Sequence, residues 1–273
     1  MEPGNMLVLV RGAGDSATGV GRRLFLAGFR VVMTELPEPL CIRRTVAFAE
    51  AVYNGSARVE EVESRLARFE QLAAWPFESS VPVIIDPEGR SIETLRPDVL
   101  IDARLLKRND GTRLDRAPIV GALGPGYIAG KDCHFVVETE RGHALGRVLY
   151  SGSALPDSGK PGAVMGHTGE RVVYASRDGL FHALVEIGET VSAGTPLGKI
   201  EEMLIISKIS GVVRGILRSG LKIQEKTKLA DVDPRGRAEF CSTVSDRSNA
   251  IAGGVLEGIL SLYRRLQAHA PAP

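Results

Sequence analysis

The residues best suited to chemistry stand in one short stretch, Arg11-Gly12-Ala13-Gly14-Asp15-Ser16-Ala17. Glycines at 12 and 14 let backbone N–H groups approach an anion, and a helix starting at the turn adds its positive end. Asp15 is the discordant residue. A carboxylate beside a phosphate seat repels it unless a cation intervenes, and the same side chain also suits the plain task of capping a helix. Both roles stand open. Glu35 follows Gly12 by 23 positions, the type and spacing of an acid that holds a ribose hydroxyl.

Other groups extend this set. Arg43 and Arg44 open an expected helix, where cations oppose the helix dipole. An anion nearby would offset that cost; two solvated surface arginines are the plainer alternative. Arg104, Lys107 and Arg108, with Arg113, form a second basic cluster. Facing the Gly12 turn, it would offset Asp15 and hold a phosphorylated ligand. Gly124-Pro125-Gly126 is a second glycine turn. Nucleophiles are poorly served: there is no Gly-x-Ser-x-Gly elbow, and Cys41, Cys133 and Cys241 lie far apart. No catalytic residue is assigned. For metals there is no His-x-x-x-His. His134 and Glu138 lie four apart on an expected strand, hence on one face, and with His143 they are a weak candidate set. A hydrogen-bonded polar cluster is the competing reading.

These residues need elements to position them. Leu7 to Val10 reads as a buried strand, Ala17 to Ala27 as a helix stopped by Gly28, and Phe29 to Met33 as a second strand. A helix is expected with Ile42, Val46, Ala49 and Val52 on one face. Another is expected over 59–74, with a short strand at 59–62 as its alternative. Apolar runs near residues 82–86, 99–104, 119–123, 134–138 and 147–150 read as further strands. Strands apolar throughout suit a parallel sheet, whose ligand crevice lies beyond the carboxyl ends. Gly12, Glu35, Asp86 and Arg104 all fall at such ends. The fold class expected is α/β, with a Rossmann-like, mostly parallel sheet over 1–168. Residues 169–236 form a small all-β barrel-sandwich module, and 237–273 a C-terminal helix packing back on the first domain. Ser245 or Asp246 caps that helix, Gly253-Gly254 marks close packing, and the tail from Ala268 is loose.

Composition narrows the function. A net charge of +1, with basic residues scattered, gives no reason to expect nucleic acid or an anionic membrane. No apolar run approaches the ~20 residues of a membrane span. The N-terminus lacks the features of a secretory signal, and an odd, scattered set of thiols favours a reducing, cytoplasmic setting. Oligomeric state, a homo-oligomer included, stays open.

Two resemblances follow. Gly188 to Ile200 and Ile209 to Ile216 resemble the biotinyl/lipoyl carrier fold. Lys199 and Lys208 stand in strand context rather than on a carrier hairpin, so covalently attached biotin or lipoate is not expected. Over nearly the whole chain, six blocks resemble the selenium-dependent molybdenum hydroxylase system proteins. They are Val10–Val20, Met33–Arg44, Asp102–Arg108, Ala122–Tyr127, Glu138–His143 and Ala250–Glu257. The resemblance implies a bacterial accessory protein that matures such a hydroxylase, with that enzyme or other maturation proteins as partners. It favours a small anionic ligand at the Gly12 turn: a nucleotide, or the molybdenum cofactor, a pterin dinucleotide. Two alternatives remain, an NAD(P)-dependent oxidoreductase and a non-enzymatic scaffold docking a partner through the β module.

Overall fold

The computed structural model describes residues 3–268; the tail beyond lies outside them. The first three elements form where the apolar pattern puts them: β1 (Leu7–Arg11), α1 (Asp15–Leu26) and β2 (Arg30–Glu35). Ala17, Val20 and Leu24 of α1 are buried against the sheet, and Gly28 leaves the helix at φ +88°. Val8, Leu9 and Val10 are fully buried because both faces of β1 are covered.

The next elements depart from expectation. Ile42 to Val52 is not one helix but two 3₁₀ turns, Arg44–Val46 and Phe48–Glu50, followed by α2 (Ala51–Asn54). The segment serves two cores. Ile42 enters that of the small sheets, while Val46, Phe48 and Ala49 enter that of the large one. One straight helix cannot point its apolar side both ways. Residues 59–74 are not helical at first either. They contain part of a hairpin, β3 (Ser56–Val59) and β4 (Val62–Leu66), turning through Glu60 at φ +51°. A 3₁₀ stretch, Phe69–Ala74, follows.

β5 (Val81–Ile85), α3 (Ser91–Leu95), β6 (Val99–Asp102), β7 (Ile119–Leu123), β8 (Phe135–Val137) and β9 (Val148–Leu149) complete the large sheet and its connections. Its nine strands run in the order β3-β4-β5-β2-β1-β6-β7-β8-β9. β1 pairs in parallel with β2 on one side and β6 on the other. The hairpins β3–β4 and β8–β9 make both edges antiparallel.

The β region holds β10 (Val172–Tyr174), β11 (Gly179–Ala183), β12 (Thr190–Val191), β13 (Pro196–Ile200) and β14 (Met203–Ile206). β15 (Gly211–Ile216), β16 (Leu221–Ile223) and β17 (Lys228–Asp233) follow. They build two four-stranded antiparallel sheets, β10-β17-β15-β12 and β14-β13-β11-β16. Phe181, Leu197, Val213 and Leu229 fill the core they share.

The expected fold class is therefore corrected. A Rossmann-like sheet with a biotinyl/lipoyl-like module gives way to a large mixed sheet with antiparallel edges and two separate antiparallel sheets. The physical reason lies in the connections. Among the α-helices joining strands of the large sheet, α1 alone exceeds five residues; α2 and α3 span four and five. Loops and 3₁₀ turns carry the other crossovers.

α4 (Asp246–Ala268) supplies the missing cover. Ser245 accepts from the Ser248 N–H at 3.1 Å and caps it. α4 lies against α1, where a Cβ on Gly19 would meet that of Ser248 at 2.9 Å. Gly254 packs on the backbone of Gly146 and Gly258 on the ring of Phe135, whereas Gly253 lies near no neighbour but Arg23.

Candidate functional site

The carboxyl ends of β1, β2 and β6 open into a cleft of about 750 Å³. Its opposite wall is formed by β10 and β17, through Tyr174 and Lys228. The Gly12 turn forms its floor and is tightly held. The Gly12 N–H donates to the Thr34 carbonyl at 2.9 Å. The Ala13 carbonyl accepts from the Ala49 N–H at 2.9 Å and from Thr18 Oγ1 at 3.0 Å. Gly12 adopts φ +100°, and a Cβ there would meet the Ala103 carbonyl at 3.3 Å. Glycine is what lets the loop after β6 come this close.

Glu35 faces inward toward the turn. Its Oε2 accepts from the Ala13 N–H at 2.9 Å and its Oε1 from the Leu36 N–H at 2.8 Å. Burial pushes its carboxyl above the usual range against those two bonds. Ala13 itself is fully buried, with its amide committed. The first-turn amides of α1 have no intrahelical acceptor; that of Asp15 adjoins the Cys41 sulfur and that of Ser16 the Asp15 carboxylate, so an anion there competes with both.

Asp15 does not cap the helix; it lines the cleft with a cation beside it. The N-cap is Gly14, which makes no side-chain bond, so Asp15 is the first helical residue. Its carboxylate meets Arg43 Nη1 at 3.2 Å and keeps 30% of its side-chain surface. Burial disfavours its charge, but Arg43, then Arg247 and Lys228, outweigh burial and hold the carboxyl below its usual range. Cys41 lies beside it. Burial, then the Asp15 charge, push that thiol up to about 12, so it stays protonated.

Arg43 is the hinge between the two parts of the molecule. Its Nε donates to Asp231 Oδ2 at 3.0 Å, and Arg171 Nη1 approaches Asp231 Oδ1 at 2.7 Å. Asp231, on β17, is fully buried. Burial opposes the charge on Arg43, but Asp231 and Asp15 more than offset it and raise its pKa. Arg44 is not in the cleft. Its Nε donates to the Ile216 carbonyl at 2.9 Å, tying the β region to the 41–45 segment.

Two cations lining the cleft came from parts of the chain that sequence reasoning left out. Lys228 begins β17, forms no ion pair among the described residues, and has its pKa lowered by burial. Arg247, in the first turn of α4, donates to the Thr139 carbonyl at 2.9 Å and to Ser16 Oγ at 3.3 Å. Around the α1 terminus, Arg43, Arg171, Lys228 and Arg247 thus face the carboxylates of Asp15 and Asp231, and Glu140 also acts on Arg247. No sequence signal pointed to Lys228 or Arg247, because charge without neighbours known in space is uninformative.

The second basic cluster divides. Arg104 and Lys107 line the cleft, paired with Asp102 at 2.7 Å and Asp157 at 2.7 Å. Arg108 is exposed and off the cleft, and Arg113 pairs with Asp115. The turn Gly124-Pro125-Gly126 does not line the cleft either. Gly126, at φ +101°, lies under the 107–108 backbone, where a Cβ would be 2.4 Å from the Arg108 nitrogen. It buttresses the basic loop rather than touching a ligand.

The metal candidates are held apart by backbone duties. His134 Nδ1 accepts from the Val120 N–H at 2.9 Å. Glu138 accepts from the amides of Thr139, Glu140 and Leu155, and His143 is exposed. Among the described residues no group of three His, Cys, Asp or Glu side chains gathers to hold a metal. No helix among them is long and apolar enough to cross a membrane.

No family model matches the chain. It is 46% identical over 263 residues to the uncharacterized protein YqeB of Escherichia coli K12, covering 96% of this chain. The chain spans about half of that relative, 49% of its length. The ectoine utilization protein EutE (DoeB) of Ruegeria pomeroyi is similar in structure at 13% identity. That match covers 83% of this chain and 84% of the other, with a TM-score of 0.25. A succinylglutamate desuccinylase/aspartoacylase of Rhodobacter sphaeroides matches at 14% identity over the same shares, TM-score 0.23. TcdA (CsdL) matches at 11% identity over 96% of this chain and 89% of that one, TM-score 0.31.

Proposed function

We propose that this chain binds a nucleotide or a pterin dinucleotide by its phosphates in the cleft, as an accessory protein in the maturation of a selenium-dependent molybdenum hydroxylase. One observation supports the ligand class above others. Lys228 and Arg247, which form no ion pair among the described residues and share Asp15 with Arg43, converge on the α1 terminus. Phosphate oxygens supply the charge and the acceptors that such a site lacks. Arg43 answers the objection raised by Asp15, since its guanidinium shields the carboxylate from an incoming anion. The link to a hydroxylase rests on the six sequence blocks.

An NAD(P)-dependent oxidoreductase is the weaker reading. Glu35 would have to leave the Ala13 and Leu36 amides before it could take a ribose hydroxyl. Calorimetry of the full chain with NAD, NADP, cytidine nucleotides and the molybdenum cofactor tests the proposal. Saturable one-site heat is expected with a cytidine nucleotide or the cofactor. Silence with every ligand contradicts it, and a preference for NAD over the others returns the oxidoreductase reading.

A further inference from the structure

Arg11 closes β1 at the edge of the same cleft and takes no part in the phosphate seat described above. Its residue surface is only 7% exposed. No side-chain hydrogen bond links it to any described residue, and its one carboxylate contact is Asp102 at 3.6 Å. That contact is beyond hydrogen-bonding distance. Asp102 has little left to offer. It accepts from Arg104 Nε at 3.0 Å, Arg104 Nη2 at 2.7 Å and Thr112 Oγ1 at 2.6 Å. Arg104 also reaches Asp110 at 3.1 Å, but Asp110 is 64% exposed and spends its charge on solvent.

The Asp86–Arg90 turn presses on Arg11 from the other side. A Cβ on Gly89 would lie 3.2 Å from Arg11 Nη2. That turn carries two carboxylates, but Asp86 accepts from the Arg90 and Ser91 amides and Glu88 from Arg90 Nε, and neither pairs with Arg11. None of the Arg11 nitrogens is sealed from solvent without a partner, unlike those of Arg171 or Arg218, and Arg11 lines the cleft. Its donors therefore meet cleft water where the chain supplies no hydrogen-bond acceptor.

We infer that Arg11 is the anchor of a second anion subsite, which takes a phosphate or carboxylate of the ligand in two-pronged fashion. This rests on the nucleotide reading and narrows it: the ligand carries two separated anionic groups, one at the α1 terminus and one over Arg11. A planar fork meeting two oxygens satisfies donors that the protein leaves idle. Arg104, locked on Asp102, adds field without leaving its partner.

The test uses the full chain, with inorganic pyrophosphate and the best-binding nucleotide as probes. Four readouts are taken: calorimetric affinity, the Arg11 Nε–H signal in nitrogen-15 spectra, and the melting temperatures of Arg11→Met and Arg11→Lys. Pyrophosphate is expected to move the Arg11 Nε–H signal saturably. Arg11→Met and Arg11→Lys should each lose tenfold or more in affinity. Arg11→Met without ligand should melt no lower than the wild type, since no described residue hydrogen-bonds the lost guanidinium and Asp102 keeps Arg104. Arg11→Met that binds as the wild type overturns the subsite and leaves the nucleotide reading standing. Arg11→Met that melts well below the wild type with unchanged affinity makes Arg11 structural and also overturns it. A wild type that binds neither probe, with the Nε–H signal unmoved, overturns both readings.

Discussion

Arg43 joins two carboxylates that belong to distant parts of the chain, and its loss is the most revealing single change. Asp231 is fully buried and would keep Arg171 as its ion pair, with Lys228 nearby. Removing one partner of a buried pair typically costs about 3–5 kcal/mol. Arg43→Met is therefore expected to destabilise by about 3 kcal/mol in chemical denaturation. Arg44→Met, which frees one carbonyl bond at a partly exposed site, should cost about 1 kcal/mol. Equal effects would refute the distinction drawn between these neighbours. Asp15→Asn acts on binding instead. It removes a negative charge from the phosphate seat, so affinity for a nucleotide should rise severalfold, read by calorimetry. A fall would mean that Asp15 touches the ligand as an acceptor.

Elements decide whether those residues meet. Gly126→Ala places a Cβ 2.4 Å from the Arg108 nitrogen in a left-handed position. The basic loop must move, so this variant should lose stability by about 1–3 kcal/mol and bind nucleotide more weakly. Gly253→Ala is the control: its Cβ meets nothing closer than Arg23 at 3.9 Å, and alanine favours a helix. It should be neutral or stabilising.

The same scale explains what could be read in advance. β1, α1 and β2 were legible because their apolar periods are unambiguous and the glycine turn between them has one sensible conformation. The β3–β4 hairpin was not. Val59, Val62 and Leu66 fall at helical intervals by accident, since a two-residue turn separates the two valines that both strands bury. Ile42 to Val52 misled in the same way, its apolar residues being divided between two cores. In the site, Arg43 was visible as a cation at an expected helix start, and Arg104 and Lys107 as a basic cluster after a strand. Arg11 was hidden inside the motif it flanks. Lys228 and Arg247 lie about two hundred positions downstream, and only the third dimension brings them to the α1 terminus.

At the scale of the molecule, the β region closes the cleft rather than standing apart from it. Excising 171–236 would strip Lys228 and Arg171 from the site and Asp231 from Arg43, so small-molecule binding should fail along with any partner contact. The charge network also sets the response to acid. Asp15, Asp102 and Asp231 are held below the usual carboxylate range in the folded chain, and Asp246 is drawn down to about 2, chiefly by its bond with Arg141. As pH falls, the unfolded chain takes up protons first, so stability is present above the ordinary carboxylate range and is lost below it. Denaturation between pH 5 and pH 2, about the span given by ordinary and depressed carboxyls, should show a falling free energy, less steep in Asp246→Asn. A flat profile would contradict the network.

The central claim is that a phosphate-bearing ligand sits between the α1 terminus and the β17 wall. Its most direct test is the affinity of Lys228→Met for the nucleotide that the wild type binds best, measured by calorimetry at low salt. A loss of tenfold or more is expected, with an unchanged melting temperature. Undiminished affinity would contradict it.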